Sequence, residues 1–131
     1  MEIEPLKGNV AVVTGSASGI GQGIALRFAR EGADVACLDL NLEGAQKTAQ
    51  EIQTFGQKSM ALQVDVTKSK DVEEAVQRVH DHFGKINILV NSAGIIKANF
   101  ITEVPESTWD AIIAVDLKGT FLCIREVAKY M

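Results

Sequence analysis

Residues 14–21, with the sequence TGSASGIG, join the apolar run NVAVV to a helix-like segment, IALRFAREG. The unpaired backbone N–H groups and the positive dipole end of a helix N-terminus bind anions. We expect Gly15 to turn with a positive φ, Gly19 to leave room for a pyrophosphate, and Gly21 to let the helix pack closely on the strand. The alternative is a tight turn without a ligand, but the position after the first strand favours a pyrophosphate site.

The spacing of these glycines is Gly-x-x-x-Gly-x-Gly, not the Gly-x-Gly-x-x-Gly of the usual dinucleotide fingerprint, and no Lys follows as in a P-loop. Asp39 ends the second apolar run, where that fingerprint has an acid that accepts hydrogen bonds from the adenosine ribose. Because a carboxylate there repels the 2′-phosphate of NADP, the predicted cofactor is NAD. The alternative is that Asp39 caps a helix beginning in NLEGAQ.

The rest of the chain alternates between two kinds of segment. Short runs rich in Val, Ile and Leu predict buried parallel strands at 9–14, 33–39, 59–65 and 86–91. Apolar residues at helical spacing fill the intervals, with Gly32, Gly56 and Gly84 just after three helices and Thr67 or Ser69 as a cap for the third. Right-handed crossovers then predict an α/β fold: a Rossmann-type doubly wound parallel sheet with strand order 3-2-1-4.

Composition excludes several classes of protein. The chain has 131 residues, 47% hydrophobic side chains and a net charge of −4, with Lys and Arg scattered along it. We expect one domain over residues 1–131, no nucleic-acid or membrane partner, and a cytoplasmic location. Cys37 and Cys123 lie in apolar runs and are predicted to be buried thiols. No metal site is predicted, because His80 and His82 diverge on a helix.

Five features occur in a fixed order: TGSASGIG, Asp39, DVT at 65–67, NSAG at 91–94 and VDLKGTF at 115–121. Together they resemble the short-chain dehydrogenase/reductase family, of which they match the amino-terminal half. The resemblance implies an NAD(P)-dependent oxidoreductase that transfers a hydride between the cofactor and an alcohol or carbonyl substrate. It also implies the cofactor's neighbours: Gly15, Ser18, Ile20 and Gly21 along the pyrophosphate and ribose, Asp65 and Val66 at the adenine, and Asn91, Ala93 and Gly94 along the fourth strand.

Three departures from the family pattern bear on activity. Ser92 replaces the second Asn of NNAG, and Asp116 replaces the Asn that belongs to the family's catalytic tetrad, so Asp116 is a candidate catalytic residue. The family's catalytic Ser and its Tyr-x-x-x-Lys cannot be assigned, since the lone tyrosine, Tyr130, follows Lys129 directly. We therefore expect an incomplete family domain that binds the cofactor but is inactive alone. The alternative is a complete, non-catalytic nucleotide-binding module.

The last helical segment, residues 106–131, has two apolar sides. Helical spacing predicts one stripe and an opposite patch of Val115, Gly119 and Leu122; the stripe consists of Trp109, Ile113, Leu117, Thr120, Ile124, Val127 and Met131. The resemblance implies a subunit interface on this helix, so we expect a homo-oligomer and self-association of the chain. The alternative is that the patch packs within one chain.

Overall fold

The fold is a four-stranded, fully parallel sheet, seen in a computed structural model that describes residues 3–131. The strands are β1 (Val10–Thr14), β2 (Asp34–Asp39), β3 (Ser59–Gln63) and β4 (Ile88–Asn91), in the order β3-β2-β1-β4. This order confirms the predicted doubly wound sheet. Because β1 pairs with both β2 and β4, the strand before the glycine segment lies at the switch point of the sheet, where such folds bind ligands.

Helices cover both faces of the sheet. They are α1 (Gly19–Arg30), α2 (Leu42–Thr54), α3 (Ser69–Phe83), α4 (Glu106–Ile112) and α5 (Gly119–Ala128), with a π-helical segment, Ile113–Lys118, joining the last two. The side chains of β1 alternate between two core clusters. Val12 packs with residues of α3 and α5, whereas Ala11 and Val13 pack with residues of α1 and α2. Burial on both sides explains the continuous apolar runs in the sequence.

Glycines end three of the helices, as predicted. Gly32, Gly56 and Gly84 have φ values of +98°, +87° and +80°, in the left-handed region that L side chains rarely adopt. The predicted cap of α3 is wrong. Lys68 occupies its N-cap position without a side-chain hydrogen bond, and the Thr67 hydroxyl donates instead to Asp65.

The π-helical segment changes which side chains of the last helix are buried. Its backbone hydrogen bonds span one residue more than in an α-helix, so residues after it are rotated relative to regular helical spacing. The predicted patch of Val115, Gly119 and Leu122 packs within the chain, as the alternative held. Val127, assigned to the opposite stripe, is buried in the core, which corrects that part of the prediction. Four members of the stripe are exposed: Trp109, Leu117, Ile124 and Met131.

Residues 3–131 contain neither a membrane-spanning helix nor a cluster of metal-ligating side chains. None of the helices in this range has both the length and the apolar character needed to span a bilayer. The same range holds no group of three or more His, Cys, Asp or Glu side chains arranged for a metal ion.

Candidate functional site

A cavity of about 570 Å³ lies beyond the carboxyl ends of the strands. All of the predicted site residues line it except Gly19 and Asn91. Gly19 begins α1 between two lining residues, and Asn91 ends β4 beside Thr14 of β1. The cavity is also lined by residues that were not among the predicted site residues: Leu38, Leu40, Val64, Ser92, Ile95, Ile96 and Val115. The topology thus brings the motifs of four separate strand ends to one place.

Two glycines of the glycine segment have left-handed backbone conformations, as was predicted for Gly15 but not for Gly19. Gly15 and Gly19 have φ values of +67° and +58°. A Cβ on Gly15 would lie 2.7 Å from the Ser92 carbonyl oxygen, whereas a Cβ on Gly19 would meet nothing within 4 Å. The missing side chain of Gly21 makes room for the Gly15 carbonyl of the preceding turn, and not for the strand as expected. A Cβ built on Gly21 would collide with that carbonyl. Gly15 and Gly21 therefore permit close packing of the segment, and Gly19 faces open space at the helix N-terminus.

Helix α2 holds this segment in place from the other side. The Thr48 hydroxyl donates to the Ser16 carbonyl at 2.8 Å, and a Cβ on Gly44 would lie 2.7 Å from the Cβ of Ala17. Ser18, the N-cap of α1, makes no side-chain capping hydrogen bond. Its exposed hydroxyl lines the cavity, where it can contact a ligand.

Asp39 joins the glycine segment to the start of α2. One carboxylate oxygen accepts the Ala17 N–H and the other accepts the Asn41 N–H, both at 2.9 Å. The N-cap of α2 is Asn41, whose side chain accepts the Gly44 N–H at 3.1 Å. Asp39 is therefore not the helix cap that the alternative interpretation assigned to it. Its half-buried carboxylate lines the cavity next to the N-terminus of α1.

Asp65 lies beyond β3 on the same side of the cavity as Asp39. The Thr67 hydroxyl donates to it at 2.7 Å and the Thr67 N–H at 3.0 Å, and the Lys68 ammonium lies 3.9 Å away. The hydroxyl hydrogen bond is the largest influence lowering the pKa of Asp65, and partial burial opposes it. Val66 is buried beneath α5, where a Cβ on Gly119 would lie 2.7 Å from its Cγ2.

The segment after β4 is fixed by two side chains from other elements. The Thr14 hydroxyl, only 1% exposed, accepts the N–H groups of Ser92 and Ala93, both at 3.1 Å. The Asp116 carboxylate, from the π-helical segment, accepts the Ile95 N–H at 3.0 Å. Thr14 was recognisable in the sequence as a polar strand end, but its two partners lie far along the chain.

The arrangement fits the parts of a dinucleotide. The start of α1 and the open space at Gly19 suit an anion, and Asp39 offers carboxylate oxygens to hydroxyl donors. The apolar side chains of Leu40 and Ile96 are 63% and 91% exposed at the cavity, where they can cover flat rings.

Two other groups of interest lie away from the cavity. The Tyr130 hydroxyl donates to Gln77 of α3 at 2.6 Å, and its ring packs on His80 with centroids 4.5 Å apart. Cys37 and Cys123 are buried free thiols, as predicted. Burial raises the pKa of Cys37 to about 12, partly opposed by a hydrogen bond with Ser16, and raises the pKa of Cys123 to about 11.

Known proteins with matching sequences and structures share this architecture. The chain is 41% identical over 126 residues to D-threitol dehydrogenase of Mycolicibacterium smegmatis, covering 96% of this chain and 48% of that protein. The structure of NAD+-bound xylitol dehydrogenase superposes with a TM-score of 0.94 at 31% identity, covering 97% of this chain and 49% of that one. A 3-ketoacyl-(acyl-carrier-protein) reductase from Brucella melitensis, complexed with NADH, gives a TM-score of 0.89 at 38% identity, with coverages of 95% and 50%.

These matches agree in how much of each protein they cover. The chain spans about half the length of the curated relatives it matches. The family model for short chain dehydrogenases matches residues 9–131, nearly the whole of the chain. The chain belongs to the short-chain dehydrogenase family.

Proposed function

We propose that this chain binds NAD in the cavity beyond the strand ends. The pyrophosphate lies at the glycine segment and α1, the adenosine ribose at Asp39, and the adenine at Asp65 and Val66. The nicotinamide half then runs along Asn91, Ala93 and Gly94. The observation that carries this proposal is the position of Asp39, whose carboxylate lines the cavity while holding the Ala17 N–H of the glycine segment.

The residues of this chain bind and orient the cofactor. When bound, the nicotinamide dinucleotide supplies a ring carbon that gives or takes a hydride. The N–H groups at the start of α1 stabilise the pyrophosphate charge, and the apolar side chains of Leu40 and Ile96 exclude water from the flat rings. The hydrogen bonds from Ser92 and Ala93 to Thr14, and from Ile95 to Asp116, keep the wall after β4 in a fixed position.

The preference for NAD over NADP follows from the charge of Asp39. Two like charges about 4 Å apart at an effective dielectric constant of about 20 repel by about 4 kcal/mol. That energy corresponds to a preference of up to about a thousandfold. No cationic side chain is among the described residues that line the cavity, so nothing there offsets the repulsion of a 2′-phosphate.

We also propose that the whole protein is an oxidoreductase of the short-chain type, acting on an alcohol or carbonyl group. This chain supplies its cofactor-binding half, and the 131 residues alone do not turn over substrate, because they offer no Tyr-x-x-x-Lys. The exposed apolar residues of α4, α5 and the π-helical segment support association with a second copy. The two buried thiols fit a reducing compartment such as the cytoplasm.

Calorimetric titration of the purified protein with NAD+ and with NADP+ tests the proposal. We expect saturable heat with NAD+ at micromolar to millimolar concentration and binding of NADP+ at least tenfold weaker. Absence of both binding heat and a thermal shift at millimolar NAD+ would contradict the assignment of the cavity. Equal affinity for the two cofactors would contradict the role of Asp39 only.

A further inference from the structure

Asp116 is the acidic side chain at the β4 end of the cavity. Its Oδ1 accepts the Ile95 N–H at 3.0 Å and would lie 3.4 Å from a Cβ built on Gly94. The other charged residues that line the described cavity, Asp39 and Asp65, follow β2 and β3. Since the strand order is β3-β2-β1-β4, β1 and its glycine segment lie between Asp116 and those two acids.

The two ends of the cavity meet different parts of the proposed ligand. With the adenosine on the β2 and β3 side and the pyrophosphate after β1, the β4 side is left for the nicotinamide. The nicotinamide ring carries a positive charge when oxidised and none when reduced. A carboxylate beside it therefore attracts NAD+ but has no equivalent charge interaction with the reduced ring. The adenosine and pyrophosphate are the same in both forms, so their contacts cancel from the ratio of affinities.

We propose that Asp116 is a specificity-determining residue that raises the affinity for NAD+ relative to NADH. The inference rests on the proposed function, which places the nicotinamide at this end. Asn, which the family has at this position, can also accept the Ile95 N–H but brings no charge. The preference for the oxidised cofactor is therefore a property of the acid at position 116, separable from its hydrogen bond.

Calorimetric titration of the wild-type protein and the Asp116→Asn variant with NAD+, NADH and ADP-ribose tests this role. We expect the substitution to weaken NAD+ binding by about threefold, and to leave NADH and ADP-ribose within error, because the charge acts through an exposed, partly screened site. The difference in NAD+ affinity between the wild-type protein and Asp116→Asn should shrink at high salt. Asp110→Asn, which removes an exposed charge from α4 away from the cavity, is the matched control and should change none of the three affinities.

The outcomes separate this proposal from the function on which it rests. An unchanged ratio of NAD+ to NADH affinity, or equal weakening of all three ligands, would show that Asp116 only positions the segment after β4 and would overturn the inference. If Asp116→Asn lowers the unfolding temperature, the charge-preserving variant Asp116→Glu provides the test. We expect it to retain the preference for NAD+ over NADH, and loss of that preference would overturn the inference. Failure of all three ligands to bind the wild-type protein would instead contradict the proposed cofactor site.

Discussion

The Asp39 carboxylate accepts the backbone N–H of Ala17 at 2.9 Å, joining the end of β2 to the glycine segment that follows β1. A residue expected to contact the ligand thus also fixes the backbone on which the pyrophosphate is proposed to lie. Its second oxygen accepts the Asn41 N–H, so the start of α2 is held by the same side chain. Substitutions at Asp39 are therefore expected to change both the affinity for the cofactor and the geometry of the glycine segment.

We expect Asp39→Ala to weaken NAD+ binding and to narrow the NAD+/NADP+ affinity ratio by at least tenfold, because the charge that repels a 2′-phosphate is lost. Titration calorimetry with both cofactors measures the ratio. Glu43→Gln removes an exposed charge from the first turn of α2 and is the matched control. A lower affinity for both cofactors with an unchanged ratio would mean that Asp39 serves only as an anchor for Ala17.

Alanine substitutions at three glycines separate the cost of backbone strain from the cost of steric collision in the free energy of unfolding. Gly56→Ala places a side chain at φ +87° in open space and should cost about 1–2 kcal/mol of unfolding free energy. Gly15→Ala adds a collision with the backbone of Ser92 and should cost about 3 kcal/mol or more. Gly23→Ala, in an open position within α1, should stabilise by about 0.5–1 kcal/mol. Urea denaturation measures all three, and equal losses at Gly15 and Gly56 would contradict the close packing.

Thr14→Val should destabilise the protein by about 2–4 kcal/mol, because the partly buried N–H groups of Ser92 and Ala93 would lose their acceptor. Thr14→Ser keeps the hydroxyl and should cost about 1 kcal/mol for the lost methyl group. The two variants are compared by urea denaturation. A loss for Thr14→Val no larger than the loss for Thr14→Ser would contradict the role of the hydroxyl as the acceptor that stabilises the segment after β4.

The buried thiols predict a loss of stability at alkaline pH. Folding raises their pKa from 9.0 to about 12 for Cys37 and about 11 for Cys123, so the folded state retains protons that the unfolded state releases. The contribution of the protonated thiols to the free energy of unfolding is fully present below pH 9. It is lost as the pH rises towards the folded pKa values, by up to about 1.4 kcal/mol per pH unit for each thiol. Urea midpoints from pH 8 to pH 10.5 measure the slope. The double variant Cys37→Ala, Cys123→Ala should have a shallower slope than the wild type.

The exposed apolar side chains of α5 predict self-association. Phe121 and Ile124 are 55% and 51% exposed on that helix. Sedimentation velocity at micromolar concentration should give species larger than the monomer, and Phe121→Glu with Ile124→Glu should shift them towards the monomer. Ile3→Glu, at a residue 79% exposed near the start of the described chain, is the control. A monodisperse wild-type monomer would contradict the prediction.

Local sequence patterns predicted the strands and the helix-ending glycines, because each depends on side chains a few residues apart. The strand order followed from the right-handed crossovers that connect parallel strands. The contacts of Thr14 with Ser92 and Ala93 could not be predicted in this way, since they join the ends of β1 and β4 only after the sheet has formed. Asp39 was predicted at the site, but its hydrogen bond to Ala17 depends on the loop geometry.

The π-helical segment, Ile113–Lys118, was missed for a different reason. Its residues have ordinary helical spacing, and no Gly or Pro lies within it. Regular spacing therefore placed Val127 on the outer stripe, although packing against the sheet buries it. At the end of this segment a Cβ on Gly119 would lie 2.7 Å from Cγ2 of Val66, a close contact that only the tertiary structure contains.

The central position of β1 also sets the timing of folding during synthesis. The ribosome makes β1 before either of its partners, and the backbone N–H of Val10 bonds to the Asn87 side chain, 77 residues later. At about 5–20 residues per second, that partner emerges roughly 4–15 s after β1. For those seconds an apolar strand of the nascent chain has one side without its native partner, and its unpaired backbone groups are open to pairing with other chains.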